Sequence, residues 1–336
     1  MVTIKDVAKL AGVSISTVSI VINKTRQLSP LTEQKVHRAI EALDYRPNQY
    51  ARSLVTKHKK VVGVIRIVDE KRDGSDQDLY ASTIDTYLQD MLWNIEEVIV
   101  QHGSSMVLGW YDAKKPQEIP PILDPSRIDG VICVGSFLSA QLIAAIKHSG
   151  LATVLIGSRD PAFDYVDADV EQAFRLSTSS MLEKGRRKLL LLNGPVDSQS
   201  SQRRQAGFLQ ALANTTAESR ICNCPFSGKA AEQATLKELS SFRPDAIIAG
   251  ADCMAIGALN AMAGRALSCP KDISVMGYED GMLAQYSIPK LSTVRIHKGS
   301  IGTKGATLLF DRIADVDTPP VHQIIAPVLV FRDSTE

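Results

Sequence analysis

The chain has 336 residues, 44% hydrophobic and 22% charged, at a net charge of +1. That is ordinary for soluble globular protein and long enough for two or three domains. Five cysteines, at 133, 222, 224, 253 and 269, are an odd number and make no disulfide framework. Cys222 and Cys224 form a CxC pair with no His or Cys cluster nearby to complete a metal site, while Cys133 and Cys253 sit in apolar runs as small core residues. No apolar run approaches the ~18 residues that span a membrane. Residues 1–10 carry two Lys and an Asp without the apolar core of a secretory signal. The expectation is a reduced, cytoplasmic protein with no bound metal or cofactor.

Charge is unevenly spread. Residues 1–60 hold eleven Lys and Arg against four Asp and Glu, a surplus of +7, and the remainder carries −6. A basic block on an acidic body is the asymmetry of a nucleic-acid-binding module attached to something else. The block opens with an amphipathic run, Ile4 to Leu10, whose Ile4, Val7, Ala8 and Ala11 share a helical face. Gly12 supplies a tight turn, and Ser14 stands as an N-cap for a second helix, Ile15 to Ile22. Val18, Val21 and Ile22 can face the first helix, leaving Ile15, Ser16, Thr17, Ser19 and Ile20 to point elsewhere. Two short helices around a Gly-containing turn form the helix-turn-helix pattern, in which the second helix enters the major groove. Ser29-Pro30-Leu31-Thr32-Glu33 starts a third helix with Val36, Ala39, Ile40 and Leu43 at helical spacing. Tyr45-Arg46-Pro47-Asn48 stops it, and Asn48 can cap one more short helix, Gln49 to Val55.

The string from Ile4 to Asn23, IKDVAKLAGVSISTVSIVIN, resembles the headpiece of the LacI/GalR family of bacterial transcription regulators. The resemblance implies a headpiece over 1–46 and a hinge helix and linker over 47–59. The hinge helix would fold when two subunits sit on a palindromic operator, with Leu54 wedging into the minor groove. It places contacts to double-stranded DNA at Thr3, Ser14, Ile15, Ser16, Thr17, Ser19, Ile20, Asn23, Tyr45, Asn48, Arg52 and Leu54. Many family members carry Arg where this chain has Ile20. An Ile offers only apolar contact, for instance to a thymine methyl, so the operator should differ at that base.

From Val61 onward, apolar strand-like runs alternate with helix-length segments. The runs are Val61–Ile67, Met106–Gly109, Gly130–Val134, Thr153–Ile156, Lys188–Leu192, Ala246–Ala249 and Ile273–Gly277. Strict alternation with strands apolar throughout predicts parallel sheet covered on both faces, and seven such units exceed one comfortable sheet. The fold class is α/β. A three-helix headpiece and hinge helix are followed by what the resemblance implies is a periplasmic-binding-protein-like core of two doubly wound subdomains. The expected subdomains are about 60–157 with 291–318, and about 158–290 with 319–336, crossing near Gly157, Pro289 and Pro319.

Ligands of such sheets bind beyond the strand carboxyl ends. The family's RxxGF matches Arg204 to Phe208, its (S/N)DxMAxG matches Ala251 to Gly257, and its VxGxDD matches Val275 to Asp280 with Glu279 at the first acid position. These place Arg204, Asp252 and Asp280 as effector contacts, with Asp252 also able to act as a simple N-cap. Phe226 sits where the family has an aromatic that stacks on a sugar. After the first strand the chain departs from the family, carrying a polar loop over residues 69–78. Asp85, Tyr87 and Arg159 are the candidates to complete that half of the pocket. The segment Leu291 to His297, LSTVRIH, resembles regulators of galactoside and other oligosaccharide genes.

The function implied is a homodimeric repressor of sugar-utilisation genes, its operator affinity set by a small-molecule effector. The closing strand Val328–Arg332 is followed by no leucine heptads, so a dimer is expected. No GxSxG, HExxH, Walker loop or GxGxxG is present, and no enzyme is expected. A cytoplasmic solute-binding protein without DNA binding stays open, as does a regulator responding to a purine or a phosphosugar.

Overall fold

The computed structural model describes residues 2–23, 26–45, 59–68 and 83–335, which divide into two compact units, residues 1–60 and 61–336. The smaller unit holds α1 (Ile4–Ala11), α2 (Ile15–Asn23) and α3 (Pro30–Ala42). Gly12 ends α1 at φ 65°, a left-handed turn that Gly enters without penalty. Ser29 caps α3 by accepting the Thr32 N–H, with Pro30 at its first position. Val7, Val18 and Val36, one from each helix, are fully buried at the centre. Each contributes about 1.5–3 kcal/mol relative to an exposed side chain.

The larger unit runs β1 (Val61–Val68), α4 (Thr83–Gln101), β2 (Ser105–Asp112), β3 (Gly130–Val134), α5 (Ala140–Ser149), β4 (Ala152–Ile156), β5 (Asp164–Ala168), α6 (Val170–Glu183), β6 (Lys188–Asn193) and α7 (Gln199–Leu212). It continues with β7 (Glu218–Asn223), α8 (Gly228–Ser241), β8 (Ala246–Ala249), α9 (Asp252–Ala263), β9 (Ser274–Met276), α10 (Met282–Tyr286), β10 (Thr293–Arg295), α11 (Lys298–Ala314), β11 (His322–Ile325) and β12 (Val328–Val330). One six-stranded sheet has the order β11-β5-β4-β3-β1-β2 and one four-stranded sheet the order β7-β6-β8-β9; every pairing in both is parallel. Both are buried on two faces. Along β6, Leu189 and Leu191 join one core cluster while Leu190 and Leu192 join the other, and Val62/Val64 and Ile65/Ile67 of β1 divide the same way.

Strand pairing moves the three crossings away from Gly157, Pro289 and Pro319. β5 belongs to the first sheet, so the chain first crosses between Ala168 and Val170. β10 lies beside the end of β9 through bridges Met276–Ser292 and Glu279–Arg295, so the second crossing is between Arg295 and Lys298. β11 pairs with β5 and β12 with β10, so the third falls between Ile325 and Val328. The three strands responsible are short and carry polar residues (DYVDA, TVR, HQII), so periodicity gives no signal for them. The first lobe is thus β1 to β5 with α11 and β11, and the second is α6 to β10 with β12.

The lobes are held by close contacts. Arg312 on α11 donates from Nε and Nη2 to both oxygens of the buried Asp164, at 2.7 and 2.9 Å, and Val321 N–H adds a third bond at 2.6 Å. In the second lobe, Gly207 brings α7 against α6 so closely that a Cβ there would lie 2.0 Å from the Glu171 carbonyl oxygen. The C-terminal tail is buried: Ser334 Oγ donates to the Val275 carbonyl and accepts from Ser292 N–H, at 2.6 and 2.8 Å. No described helix is long and apolar enough to cross a membrane.

Candidate functional sites

In the smaller unit the residues ahead of α2 are tied into a hydroxyl cluster. Ser14 Oγ accepts the Thr17 N–H at 3.1 Å and lies 2.8 Å from both Ser16 Oγ and Thr17 Oγ1. Ile15 and Ser16 are exposed, Thr17, Ser19 and Ile20 half-buried, so the face opposite Val18 and Val21 is the more exposed one. Thr3 begins α1, where Asp6 accepts from its N–H and its hydroxyl at 2.8 and 2.7 Å; these bonds hold the Asp6 carboxyl below its ordinary value. Tyr45 packs half-buried on the three-helix core. The side chains of Asn23, Asn48, Arg52, Leu54 and Asp85, and the loop 69–78, lie outside the described residues.

In the larger unit a cleft opens beyond the carboxyl ends of the strands of both sheets. The first lobe lines it with Val134, Ser136, Gly157 and Asp167, which follow or end β3, β4 and β5, and with Tyr87 of α4. The second lobe brings Ser200 and Arg204 from α7, Phe226 after β7, and Tyr278 and Glu279 after β9. Arg204 is the central group. Its guanidinium carbon lies 4.9, 5.2 and 5.7 Å from the ring centres of Phe226, Tyr278 and Phe174, and one terminal nitrogen donates to Ser200 Oγ at 2.9 Å. It is 5% exposed, and its Nε has no hydrogen-bond partner among the described residues. A buried cation held by ring faces and one hydroxyl is short of acceptors.

The lobes touch across the mouth of the cleft. Ser136 Oγ lies 2.8 Å from Ser198 Oγ, and Gln199 N–H donates to the Ser136 carbonyl at 2.9 Å. Asp167 Oδ2 accepts from Arg159 Nε at 2.8 Å and from Arg203 Nη2 at 3.0 Å, one arginine from each lobe.

Of the sequence candidates, Arg204, Phe226 and Tyr87 line the cleft together. Arg159 does not: its guanidinium is spent on Asp167 and on the Ala168 carbonyl, at 2.8 and 2.9 Å. Asp252 is also turned away from the cleft. It starts α9 and accepts from Thr293 Oγ1 at 2.6 Å and Gly281 N–H at 2.8 Å, while burial pushes its carboxyl up to about 6. Asp280 is the hub of an ion-pair cluster, with Arg295 at 2.7 Å and Arg332 at 2.6 Å, and does not reach the cleft. The acid of that segment that does is Glu279, which burial pushes up to about 8. Both residues have positive φ, 112° for Glu279 and 53° for Asp280. Such conformations cost on the order of 1–3 kcal/mol each in a non-glycine residue. Burial raises the Tyr87 and Tyr278 hydroxyls above their ordinary value. Sequence reading missed Asp167, Ser136, Ser200 and Tyr278. Asp167 sits on the unread strand β5, and Ser200 belongs to the serine run just ahead of Arg204. Among the described residues no group of His, Cys, Asp and Glu could hold a metal ion.

Residues 3–48 match the family model described as bacterial regulatory proteins, lacI family, and residues 178–335 match the periplasmic binding protein-like domain. The HTH-type transcriptional repressor PurR of Escherichia coli O1:K1 / APEC is 31% identical over 344 residues, covering 99% of this chain and 97% of that protein. A lac repressor dimer bound to operator and the anti-inducer ONPF superposes with a TM-score of 0.84 at 25% identity, covering 99% of both chains. A complex of the transcriptional regulator CelR with cellobiose does so with a TM-score of 0.73 at 26% identity, covering 99% of this chain and 100% of that one. The helix-turn-helix unit, the two-lobed parallel-sheet core and these full-length similarities agree: the chain belongs to the lacI family of bacterial regulatory proteins.

Proposed function

We propose that this DNA-binding transcriptional repressor takes a neutral, hydroxyl-rich small molecule, a saccharide, in the cleft between its lobes, and that occupancy sets its affinity for a palindromic operator bound by a homodimer. The observation that carries the reading is Arg204: a buried donor laid on three aromatic rings with Nε unpartnered, beside the carboxyl of Glu279. Hydroxyls both donate and accept, so one polyol satisfies the arginine and the acid together. Phe226, Tyr87 and Tyr278 offer apolar faces to a sugar ring. A cellobiose-bound regulator among the superposing structures supports the same class.

Operator contacts in this reading come from Thr3, Ser14 to Thr17, Ser19, Ile20 and Asn23 in the major groove, with Tyr45, Asn48, Arg52 and Leu54 along the hinge. The coupling between effector and operator is expected at about 1–3 kcal/mol.

A purine base is the second reading, favoured by the same ring faces, on which a planar heterocycle would stack. A thermal-shift screen of mono-, di- and oligosaccharides, purine bases and phosphosugars separates them. It is followed by mobility-shift titration of a selected palindrome with and without each hit. The saccharide reading requires a sugar that raises the melting temperature and changes operator affinity. A screen in which only purine bases or phosphosugars do so would sink it.

A further inference from the structure

Glu279 stands in a wall with the effector cleft on one side and the hinge on the other. It lines the cleft and also an open groove formed with Asp90, Asp280, Arg295, His297 and Lys298. Its backbone is stitched to the second crossing: Glu279 N–H donates to the Val294 carbonyl at 2.8 Å, and it forms a bridge with Arg295. At φ 112° it occupies a region that side chains rarely adopt.

The side chain is 7% exposed, and among the described residues nothing donates a hydrogen bond to it. None of the charged and titratable groups that face it is hydrogen-bonded to it among the described residues. Lys298 at the start of α11 pairs with Asp90 of α4. Arg204 of α7 bonds Ser200 between its three rings. Arg295 of β10 is taken by Asp280. Asp252 at the start of α9 repels a second negative charge, and Tyr87 of α4 and Tyr278 beside it are buried phenols. His297 lies on the groove side. A carboxylate there gains no hydrogen bond and loses its water, whereas the neutral acid tolerates the site.

We propose that cleft closure in this protein is proton-linked through Glu279: the closed form holds the carboxyl neutral, and its deprotonation opens the lobes about the crossing at 295–298 so that the carboxylate reaches water. The proton leaves to solvent, and opening breaks the mouth contacts Ser136–Ser198 and Gln199–Ser136. This goes beyond the choice of effector and holds for the empty cleft.

The test is hydrogen exchange by mass spectrometry on the ligand-free full chain at pH 7 and pH 9, expressed as protection factors so that intrinsic exchange is removed. With the carboxyl titrating near 8, protection over residues 134–138 and 196–204 should fall about tenfold between the two pH values. Residues 189–192 of β6 should stay constant. In Glu279→Gln, which mimics the neutral acid, the mouth peptides should keep their pH 7 protection at pH 9. Equal loss in both proteins, or no loss in the parent, overturns the proposal. Infrared spectroscopy of the parent gives an independent reading: a protonated-carboxyl band absent from the parent at pH 7 also overturns it.

Discussion

Replacing Arg204 with Met separates a ligand-binding arginine from a structural one. The guanidinium is 5% exposed and makes one hydrogen bond, to Ser200, at 2.9 Å. A hydrogen bond to a charged group contributes about 1.5–3 kcal/mol. Stacking on Phe226, Tyr278 and Phe174 at 4.9–5.7 Å adds about 0.5–2 kcal/mol for the best placed ring and less for the others. Against this stands the desolvation of an arginine with no carboxylate bonded to it, several kcal/mol, and an unpartnered buried Nε, about 1–3 kcal/mol. The two sides nearly cancel, and Met fills most of the vacated space with an adaptable apolar chain. Arg204→Met should therefore change the unfolding free energy by no more than about 1 kcal/mol in either direction. Effector response should still fall by about 10–100-fold, because the effector loses a charge-assisted donor. The measurements are chemical denaturation without ligand and effector titration of an operator complex. A loss of stability beyond about 3 kcal/mol would show that the arginine serves the fold and not the effector.

Gly207→Ala should destabilise the core by about 3 kcal/mol or more, because the added Cβ would sit 2.0 Å from the Glu171 carbonyl and α6 and α7 would have to separate; thermal unfolding of the full chain checks it. Asp252 and Glu279 should make stability fall as pH rises. Both carboxyls are raised on folding, from 3.8 to about 6 and from 4.5 to about 8, so the native state binds protons that the unfolded chain has released. The stability they contribute is complete below pH 4 and lost by about pH 6 for Asp252 and about pH 8 for Glu279, and Glu279→Gln should flatten the upper part of a melting-temperature profile. Ile20→Arg should move the operator preference toward guanine at one symmetric position of each half-site, worth about 1–3 kcal/mol; binding-site selection returning the parental base there would count against Ile20 as a reader.

Elements with strong local signals were legible in the residues alone. Gly12, Ser14, Ser29 and Pro30 punctuate three short helices through backbone conformations and caps that need no distant partner. The strands of the two sheets that are buried on both faces announced themselves as unbroken apolar runs. The arginine, the phenylalanine and the tyrosine of the cleft were found because motif and strand-end position put them beyond the sheet edges. The remaining features depend on contacts between residues far apart in the chain. Short polar strands such as β5 and β11 exist because each other's backbones are there to pair with, and they set where the lobes cross. Neighbouring carboxyls have opposite fates for the same reason. Asp252 and Asp280 face Thr293, Gly281, Arg295 and Arg332, donors 15 to 52 residues away in sequence, and become part of the frame. Glu279 stands buried in a wall where, among the described residues, nothing donates to its carboxyl. A side chain's role in this protein follows from which partners the fold leaves within hydrogen-bond reach, and that is not a local property of the sequence.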